Sequence, residues 1–383
     1  MSAPVTRTNG RTAGANGQSR PVLITGGAGF VGTNVAHRLL SEGQPVLVFD
    51  NLSRAGVQQN LQWLRDTHGS AVQVEVADVR DPFALRDAVK RASRVFHFAA
   101  QVAVTTSLTD PFTDFDVNAR GTLNLLESIR ACDTPPPLVF TSTNKVYGGL
   151  EDVKLRLARR RYEPVDAALR ASGIGESRPL DFHSPYGCSK GTADQYVIDY
   201  ARTYGIPAVV FRMSCIYGPH QFGNEDQGWV AHFLIRALQD QPITLYGDGN
   251  QVRDLLFVED LVDAFLLAQE RIEELSGQAF NIGGGPANCA SLLEVIEQIE
   301  RIRGEAPELL FGDWRPGDQR YYVSDTSKFR QATGWKPRVS VAEGVERLGD
   351  WLLENRQDLR APARAKAPAR QPAKVPAAAV VTA

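Results

Sequence analysis

Short apolar runs alternate with amphipathic stretches between residues 21 and 219. A short apolar run bounded by turn residues is typical of a buried strand, and apolar positions three to four residues apart are typical of a helix. Strands are predicted near residues 21–25, 45–49, 72–76, 94–98, 137–142 and 207–212, and helices near residues 30–41, 82–91, 112–131 and 185–203. This alternation predicts an α/β fold in which a parallel sheet has helices on both faces.

The pattern becomes less regular after residue 219. Helical periodicity recurs near residues 229–239, 258–269, 290–303 and 341–355, with short strands between these segments. We therefore predict a larger domain over residues 21–219 and a smaller, mixed α/β substrate-binding lobe mainly over residues 220–358. The expected ligand site is the crevice between that lobe and the carboxyl ends of the strands. Residues 148–183 form a long irregular segment and are a candidate lid.

Composition sets the two chain ends apart. Residues 1–20 are rich in Gly, Ser, Asn and Thr, and residues 359–383 are rich in Ala, Pro and basic side chains, so both are predicted to be disordered. They hold eight basic residues and no acidic ones, whereas the whole chain has a net charge of −2, so the remainder carries −10. A protein with this net negative charge has no overall positive potential to attract nucleic acid. Nucleic acid is therefore not predicted as a partner.

Cysteine spacing and hydropathy exclude further classes. The four cysteines are scattered without a CxxC or Cys/His cluster, so neither a metal site nor a disulfide framework is predicted. No apolar run approaches the roughly 18 residues that span a bilayer, and the N-terminus lacks the apolar core of a secretory signal. A cytoplasmic protein that does not enter a membrane is expected.

A glycine-rich segment, GGAGFVG, joins the first predicted strand to the first predicted helix. Gly26 permits a tight turn, Gly29 lets the backbone approach a pyrophosphate at the positive helix end, and Gly32 lets helix and strand pack closely. Asp50 ends the next strand about 20 residues later, where a carboxylate binds the ribose hydroxyls of NAD and repels the 2′-phosphate of NADP. These signals predict an NAD-binding, Rossmann-like, doubly wound sheet, with NADP left open by Arg54 nearby.

Tyr186 and Lys190 lie four residues apart on a predicted helix, which places the phenol and the ammonium on one face. A phenol titrates near pH 10, so it needs a neighbouring cation to act as a base near neutrality. The YxxxK spacing alone is common by chance. Together with the NAD-type loop it predicts a tyrosine that shuttles protons.

Several motifs occur together in one order: TGGAGFVG at 25–32, the strand-end Asp50, Asp78-Val79, the run from His97 to Gln101, Ser142-Thr143, and YxxxK. In this combination the chain resembles the extended short-chain dehydrogenases/reductases that act on nucleotide sugars, over about residues 21–356. Segments 143–148, 180–191 and 226–230 are most similar to the branch that inverts carbon 2 of CDP-linked sugars. The resemblance implies an NAD-dependent enzyme with a nucleotide-diphospho-sugar substrate, and a homodimer paired through helices near 112–131 and 185–203.

The same resemblance implies roles for individual residues. Thr143 would hydrogen-bond the reacting hydroxyl, Tyr186 would act as acid and base, and Lys190 would bind the nicotinamide ribose and lower the pKa of the phenol. The implied cofactor-binding residues are Gly26, Gly29, Phe30, Val31, Gly32, Asp50, Asn51, Ser53, Arg54, Asp78, Val79, Ala99, Ala100, Gln101, Tyr186 and Lys190. The family's Asn before Tyr-Gly is absent, because Met213-Ser214-Cys215-Ile216 stands there, so these side chains are given no role.

Residues 144 and 145 bear on the type of reaction. Family members that catalyse 4,6-dehydration place Asp-Glu directly after the Thr, because elimination needs an acid and a base, whereas this chain has Asn144 and Lys145. Epimerisation by transient oxidation needs no such pair. The favoured function is therefore NAD-dependent epimerisation of a nucleotide sugar, of the carbon-2 type. The alternatives are a UDP- or other nucleotide-sugar 4-epimerase, then a 4,6-dehydratase, then a non-catalytic NAD-binding sensor.

Substrate contacts are expected from six residues. Arg253 and Arg320 stand in family-like contexts, and guanidinium groups suit diphosphate oxygens. Asn144 and Lys145 follow the catalytic Thr and are candidates for sugar contacts. His183 either lines the sugar pocket or caps the helix entry, and Thr105 follows the fourth strand, where its hydroxyl could reach the sugar.

Overall fold

The computed structural model describes residues 20–355. Its strands are β1 Val22–Thr25, β2 Val46–Asp50, β3 Val72–Val76, β4 Arg94–His97, β5 Leu138–Thr143, β6 Leu155–Ala158, β7 Arg161–Pro164, β8 Ala208–Met213, β9 Cys215–Tyr217, β10 Ile243–Tyr246, β11 Val252–Phe257, β12 Gln278–Ile282, β13 Cys289–Ser291, β14 Leu309–Gly312 and β15 Tyr321–Tyr322. Its α-helices are α1 Phe30–Ser41, α2 Val57–His68, α3 Pro82–Arg91, α4 Val104–Thr109, α5 Pro111–Phe115, α6 Gly121–Arg130, α7 Ala167–Ser172, α8 Ser184–Tyr204, α9 Trp229–Leu238, α10 Val258–Glu270, α11 Ile272–Leu275, α12 Leu292–Arg303, α13 Ser327–Thr333 and α14 Val341–Glu354.

A seven-stranded sheet organises the larger part of the molecule, in the order β12-β8-β5-β4-β1-β2-β3. All its pairings are parallel. Strands such as Val22–Thr25 and Leu138–Thr143 are buried along their whole length, as expected when helices cover both faces. The order reverses next to β1, so β1 and β4 flank the point at which such sheets bind ligands. The predicted α/β Rossmann-like fold is confirmed.

Two apolar layers cover this sheet. One packs α1, α2 and α10 against one face, and the other packs α3, α6 and α8 against the opposite face. Helix α8 is 21 residues long and ends at Gly205, which adopts the left-handed conformation that favours glycine at a helix end. Its first two turns carry Tyr186 and Lys190, so the buried face of α8 places both side chains at the carboxyl edge of the sheet.

The second lobe is built around β11, which pairs with β13, β15 and β9, and around the parallel pair β10 and β14. Its core packs α9, α12 and α14 together. Between these elements the chain returns to the large sheet, because α10 packs on the sheet and β12 adds its outermost strand beside β8. The lobe therefore draws on most, but not all, of residues 220–358; the domain bounds stay a prediction.

Residues 148–183 contain the hairpin β6–β7 and the short helix α7. The hairpin packs on the second lobe: the backbone N–H of Tyr162 donates to the carbonyl of Asn250 at 2.9 Å, and Arg161 forms an ion pair with Glu294 on α12 at 2.5 Å. None of these residues lines the cavity described below. This placement gives no support to the lid.

Both predicted tails lie outside the described residues, apart from Arg20, whose guanidinium donates to the carbonyls of Lys90 and Arg91. Within residues 20–355 no helix is long and apolar enough to cross a membrane. Over the same residues no group of His, Cys, Asp and Glu side chains is arranged to hold a metal ion.

Candidate active site

A cavity of about 900 Å³ lies between the carboxyl edge of the large sheet and the second lobe. Twenty-one of the predicted site residues line it: Gly26, Gly29, Phe30, Val31, Gly32, Asp50, Asn51, Ser53, Arg54, Asp78, Val79, Ala99, Ala100, Gln101, Thr105, Thr143, Asn144, Lys145, Tyr186, Lys190 and Arg253. The structure thus brings the predicted cofactor and catalytic residues into one cavity. Their roles stay predictions.

The glycine-rich turn after β1 leaves no room for side chains. Gly26 has a φ of +67°, and a Cβ there would lie 2.7 Å from the backbone nitrogen of Ala99. A Cβ on Gly32 would lie 2.3 Å from the carbonyl oxygen of Gly26. Helix α1 begins at Phe30 directly behind this turn, so its free N–H groups face the cavity wall where a pyrophosphate binds in such loops.

Two carboxylates end neighbouring strands at the same edge. Asp50 accepts hydrogen bonds from the backbone N–H groups of Ala28 at 3.1 Å and Leu52 at 2.8 Å, yet burial raises its pKa. The Nε and Nη2 atoms of Arg80 donate to the Asp78 carboxylate at 2.9 and 2.8 Å. These hydrogen bonds keep the pKa of Asp78 well below its usual range. Asp50 therefore presents a carboxylate at the place expected for the ribose of NAD.

Thr143 ends β5, and its hydroxyl accepts a hydrogen bond from the backbone N–H of Lys145 at 3.2 Å, which begins a 3₁₀ turn over Asn144–Tyr147. The side chain of Tyr186 is buried and lines the same cavity as Thr143. Burial raises the pKa of Tyr186 to about 12, against the opposing effects of Thr143 and the Arg54 charge. With that pKa the phenol is protonated near neutral pH.

Lys190 is buried one turn beyond Tyr186. Its ammonium donates to the carbonyl of Thr141 at 2.7 Å and lies 4.4 Å from the centre of the Phe140 ring. Burial lowers its pKa to about 8, although Asp194 and Asp114 act in the opposite direction. In this arrangement the charges acting on the Tyr186 phenol come from Asp114 and Arg54, so a lowering of its pKa by Lys190 stays a prediction.

The inner end of the cavity is polar and cationic. Asn144 donates to the side-chain carbonyl of Gln319 at 3.0 Å, and Lys145 donates to the carbonyl of Gly317 at 3.0 Å. Arg253 on β11 forms an ion pair with Asp318 at 2.5 Å and is buried. The two positions directly after Thr143 hold Asn144 and Lys145 and therefore no carboxylate.

The outer end has contacts that were not anticipated. Thr105 donates to Asp226 at 2.9 Å. Arg315 lines the cavity 3.7 Å from the centre of the Tyr246 ring and forms an ion pair with Asp226 at 3.5 Å. The sequence signal for Arg315 was its position in the Arg-Pro-Gly-Asp run that also pointed to Arg320.

Two predicted substrate residues lie away from the cavity wall. Arg320 lies over the rings of Tyr162 and Trp314, with its guanidinium carbon 5.7 and 5.3 Å from their centres. His183 occupies the N-cap position of α8, but its side chain makes no capping hydrogen bond. Neither residue lines the cavity. In the 313–320 loop it is Arg315, not Arg320, that lies on the cavity wall.

These residues fit NAD. The glycine cradle, the helix N-terminus and the Asp50 carboxylate stand where the pyrophosphate and the ribose of a dinucleotide are held. Residues 22–283 match the model of the NAD dependent epimerase/dehydratase family. The chain belongs to this family.

Similar proteins agree with that assignment. CDP-paratose 2-epimerase of Salmonella typhi is 43% identical over 337 residues, which cover 86% of this chain and 98% of that protein. A dTDP-glucose 4,6-dehydratase of Xanthomonas campestris is 31% identical over 356 residues, which cover 87% of this chain and 93% of that protein. The crystal structure of Thermus thermophilus UDP-glucose 4-epimerase in complex with NAD superposes with a TM-score of 0.72 at 32% identity, covering 87% of this chain and 99% of that one.

These findings confirm three predictions from the sequence. The family is that of the extended short-chain dehydrogenases/reductases acting on nucleotide sugars, the cofactor is NAD, and the enzyme class is NAD-dependent nucleotide-sugar epimerase. The sugar, the nucleotide and the inverted carbon are finer questions.

Proposed function

We propose that this enzyme inverts carbon 2 of a CDP-linked 3,6-dideoxyhexose by transient oxidation of that carbon. The observation that carries the proposal is the pair Asn144 and Lys145, which stands directly after Thr143 in the cavity that Tyr186 also lines. The similarity to CDP-paratose 2-epimerase supports the same substrate class.

Thr143 and Tyr186 hold the hydroxyl of the reacting carbon between them. Tyr186 acts as the phenolate, which takes the hydroxyl proton as the carbon becomes a ketone and returns that proton when the alcohol re-forms. Lys190, Asp50 and the glycine turn orient the cofactor. Bound there, NAD would supply reversible hydride acceptance, which permits a carbinol carbon to be oxidised and then reduced from the opposite face.

Dehydration fits these residues less well. Elimination requires removal of a carbon-bound proton and protonation of the leaving hydroxyl, and both steps need titratable groups beside the ketone. The Asn144 amide cannot titrate and is held by Gln319. Three acids of the cavity wall that belong to or face the second lobe are engaged: Asp318 pairs with Arg253, and Asp226 and Glu225 pair with Arg315.

Inversion of carbon 4 on a UDP-sugar or another nucleotide sugar is the second candidate, since Thermus thermophilus UDP-glucose 4-epimerase shares this fold at 32% identity. A non-catalytic NAD sensor is disfavoured by the intact Thr143, Tyr186 and Lys190 set.

Isotope labelling tests the proposal. The NAD-loaded enzyme is incubated with a CDP-linked 3,6-dideoxyhexose deuterated at carbon 2, and the epimer should keep the deuterium at that carbon without accumulation of reduced cofactor. A 4-keto product lighter by one water would refute epimerisation in favour of dehydration. Turnover of UDP-sugars with inversion at carbon 4 would favour the second candidate, and NAD binding without any turnover would favour the sensor.

We also propose that the enzyme works as a homodimer in the cytoplasm. Helices α5 and α8 carry exposed aromatic side chains, of which Phe112 is 84% and Phe115 is 51% exposed, beside the stripe of Tyr196, Tyr200 and Tyr204. Such a patch is typical of an interface. All four cysteines are free, as suits a reducing compartment. Light scattering of wild type and Phe112→Asp tests the dimer: a shift to monomer is expected, and a monomeric wild type would refute it.

A further inference from the structure

Lys145 is a cation without an acidic partner at the inner end of the cavity. Its ammonium donates to the Gly317 carbonyl at 3.0 Å, and among residues 20–355 no carboxylate lies within ion-pair distance of it. The charged or titratable groups that surround it are Arg253 on β11, Asp318 on the facing loop and Cys215 on β9. Burial, reinforced by the Arg253 charge, lowers its pKa to about 8.

This arrangement leaves an excess of positive charge. Two cations, Lys145 and Arg253, share one acid, Asp318, and Asp318 is already in contact with Arg253. Removing an ammonium from water without a counter-charge is costly, so a site that keeps one in this way is suited to an anionic ligand. The rest of the protein has a net negative charge, so the excess is local.

The position of the excess charge relative to the reacting atoms is informative. Lys145 follows Thr143 by two residues, and its backbone N–H donates to the Thr143 hydroxyl at 3.2 Å. In a nucleotide sugar the phosphate is attached through oxygen to carbon 1. Carbon 2 is bonded to carbon 1, whereas carbon 4 lies across the ring. A phosphate bound by the Lys145 ammonium lies within reach of one lysine side chain from the backbone that contacts the Thr143 hydroxyl. We therefore expect carbon 2, which is next to the phosphate-bearing carbon, to lie closer to Thr143 than carbon 4 does.

We infer that Lys145, together with Arg253, binds the sugar-proximal phosphate of the substrate and thereby selects carbon 2 as the reacting carbon. This inference rests on the proposed function for the identity of the sugar, but the phosphate contact itself does not require turnover. Lys145 is thus a specificity-determining residue, and Arg315 at the outer end is left for the rest of the nucleotide.

Nucleotide binding to the NAD-loaded enzyme tests the contact. Calorimetry should give tighter binding of CDP than of CMP to wild type, because only CDP has the sugar-proximal phosphate. Lys145→Met should weaken CDP binding by about 10- to 100-fold, the range for a charge-assisted contact, and leave CMP binding unchanged. Lys145→Arg should retain the preference for CDP. Lys154→Met, at an exposed position away from the cavity, is the matched control and should behave as wild type.

The pH dependence separates this contact from a purely structural role. A lysine binds phosphate as the ammonium, so wild-type affinity for CDP should fall as pH rises above the pKa that Lys145 has in the complex, whereas Lys145→Arg should not show that fall. Equal CDP affinity in wild type and Lys145→Met, or no preference for CDP over CMP in wild type, would overturn the inference. A fall in kcat with unchanged CDP affinity would assign Lys145 to proton transfer instead and would also overturn it.

The two proposals fail separately. If CDP binding depends on Lys145 but no CDP-sugar is epimerised at carbon 2, the proposed function fails and the phosphate contact stands without its role in selecting carbon 2. If carbon 2 is inverted as proposed but Lys145→Met binds CDP as wild type does, only the inference fails.

Discussion

Removal of the Tyr186 hydroxyl is the most direct test of the catalytic assignment. The phenol is buried, and burial raises its pKa to about 12. That value is about 2 units above the usual one, so burial opposes the phenolate by about 3 kcal/mol. A group this reluctant to ionise contributes only when the substrate hydroxyl and the bound cofactor are in place. Tyr186→Phe removes the group without changing the ring.

The expected loss in kcat is about 100-fold or more, the lower end of what a positioned acid and base contributes. NAD content and melting temperature should be unchanged, because the variant alters no packing contact of the ring. In wild type kcat should rise with pH as the fraction of phenolate rises, and this rise should be absent from the variant. The assay is initial-rate epimerisation by NAD-loaded protein across pH.

Tyr196→Phe on the same helix is the matched control, because its ring is exposed. It should keep wild-type kcat. A Tyr186→Phe variant that retains NAD and turns over within a few-fold of wild type would refute the assignment of Tyr186 as the proton shuttle.

Three further predictions concern the scaffold. Gly32→Ala places a Cβ 2.3 Å from the Gly26 carbonyl, so it should lower NAD content and cost about 1–3 kcal/mol in unfolding free energy, whereas Gly175→Ala, with no contact closer than 3.6 Å, should cost less. Asp194→Asn breaks a buried two-point pair with Arg212, at 2.9 and 3.0 Å, and should cost about 3–5 kcal/mol in urea unfolding, whereas the exposed Asp199→Asn should be near neutral. Burial lowers the pKa of His97 to about 3 and of His220 to about 4. Both imidazoles stay neutral in the folded state, whereas the unfolded chain takes up protons below about pH 6.5. The free energy of unfolding should therefore fall by about 2 kcal/mol for each histidine between pH 6.5 and 5. In His220→Asn this fall should be smaller by about 2 kcal/mol, the contribution of one histidine.

Local sequence patterns predicted the large sheet well, because its strands are continuous apolar runs and its helices have regular apolar spacing. Helix α2 was not predicted, although Val57, Leu61 and Leu64 are spaced as on a helix face and are buried. Strand β12 was also missed as a member of the large sheet. Its pairing with β8 depends on a return of the chain after β11, and periodicity contains no information about such a return.

Motif reasoning found the residues whose place follows from the carboxyl edge of a parallel sheet, since every strand end converges there. It was less successful in the second lobe, where side-chain direction depends on loop geometry. Arg315 and Arg320 occupy one short run, and the sequence alone favoured Arg320. The loop turns Arg315 towards the Tyr246 ring inside the cavity and Arg320 towards Tyr162 and Trp314 outside it.

The meaning of Lys145 likewise changed once its surroundings were known. From the sequence it was informative as the absence of an acid after Thr143. In the structure its backbone begins the turn that Thr143 caps, while its ammonium lies beside Arg253 and only one acid. A residue that replaces a catalytic acid can thus remove one reaction, elimination, and supply the charge that positions another. The same substitution would then account for both the lost chemistry and the choice of carbon.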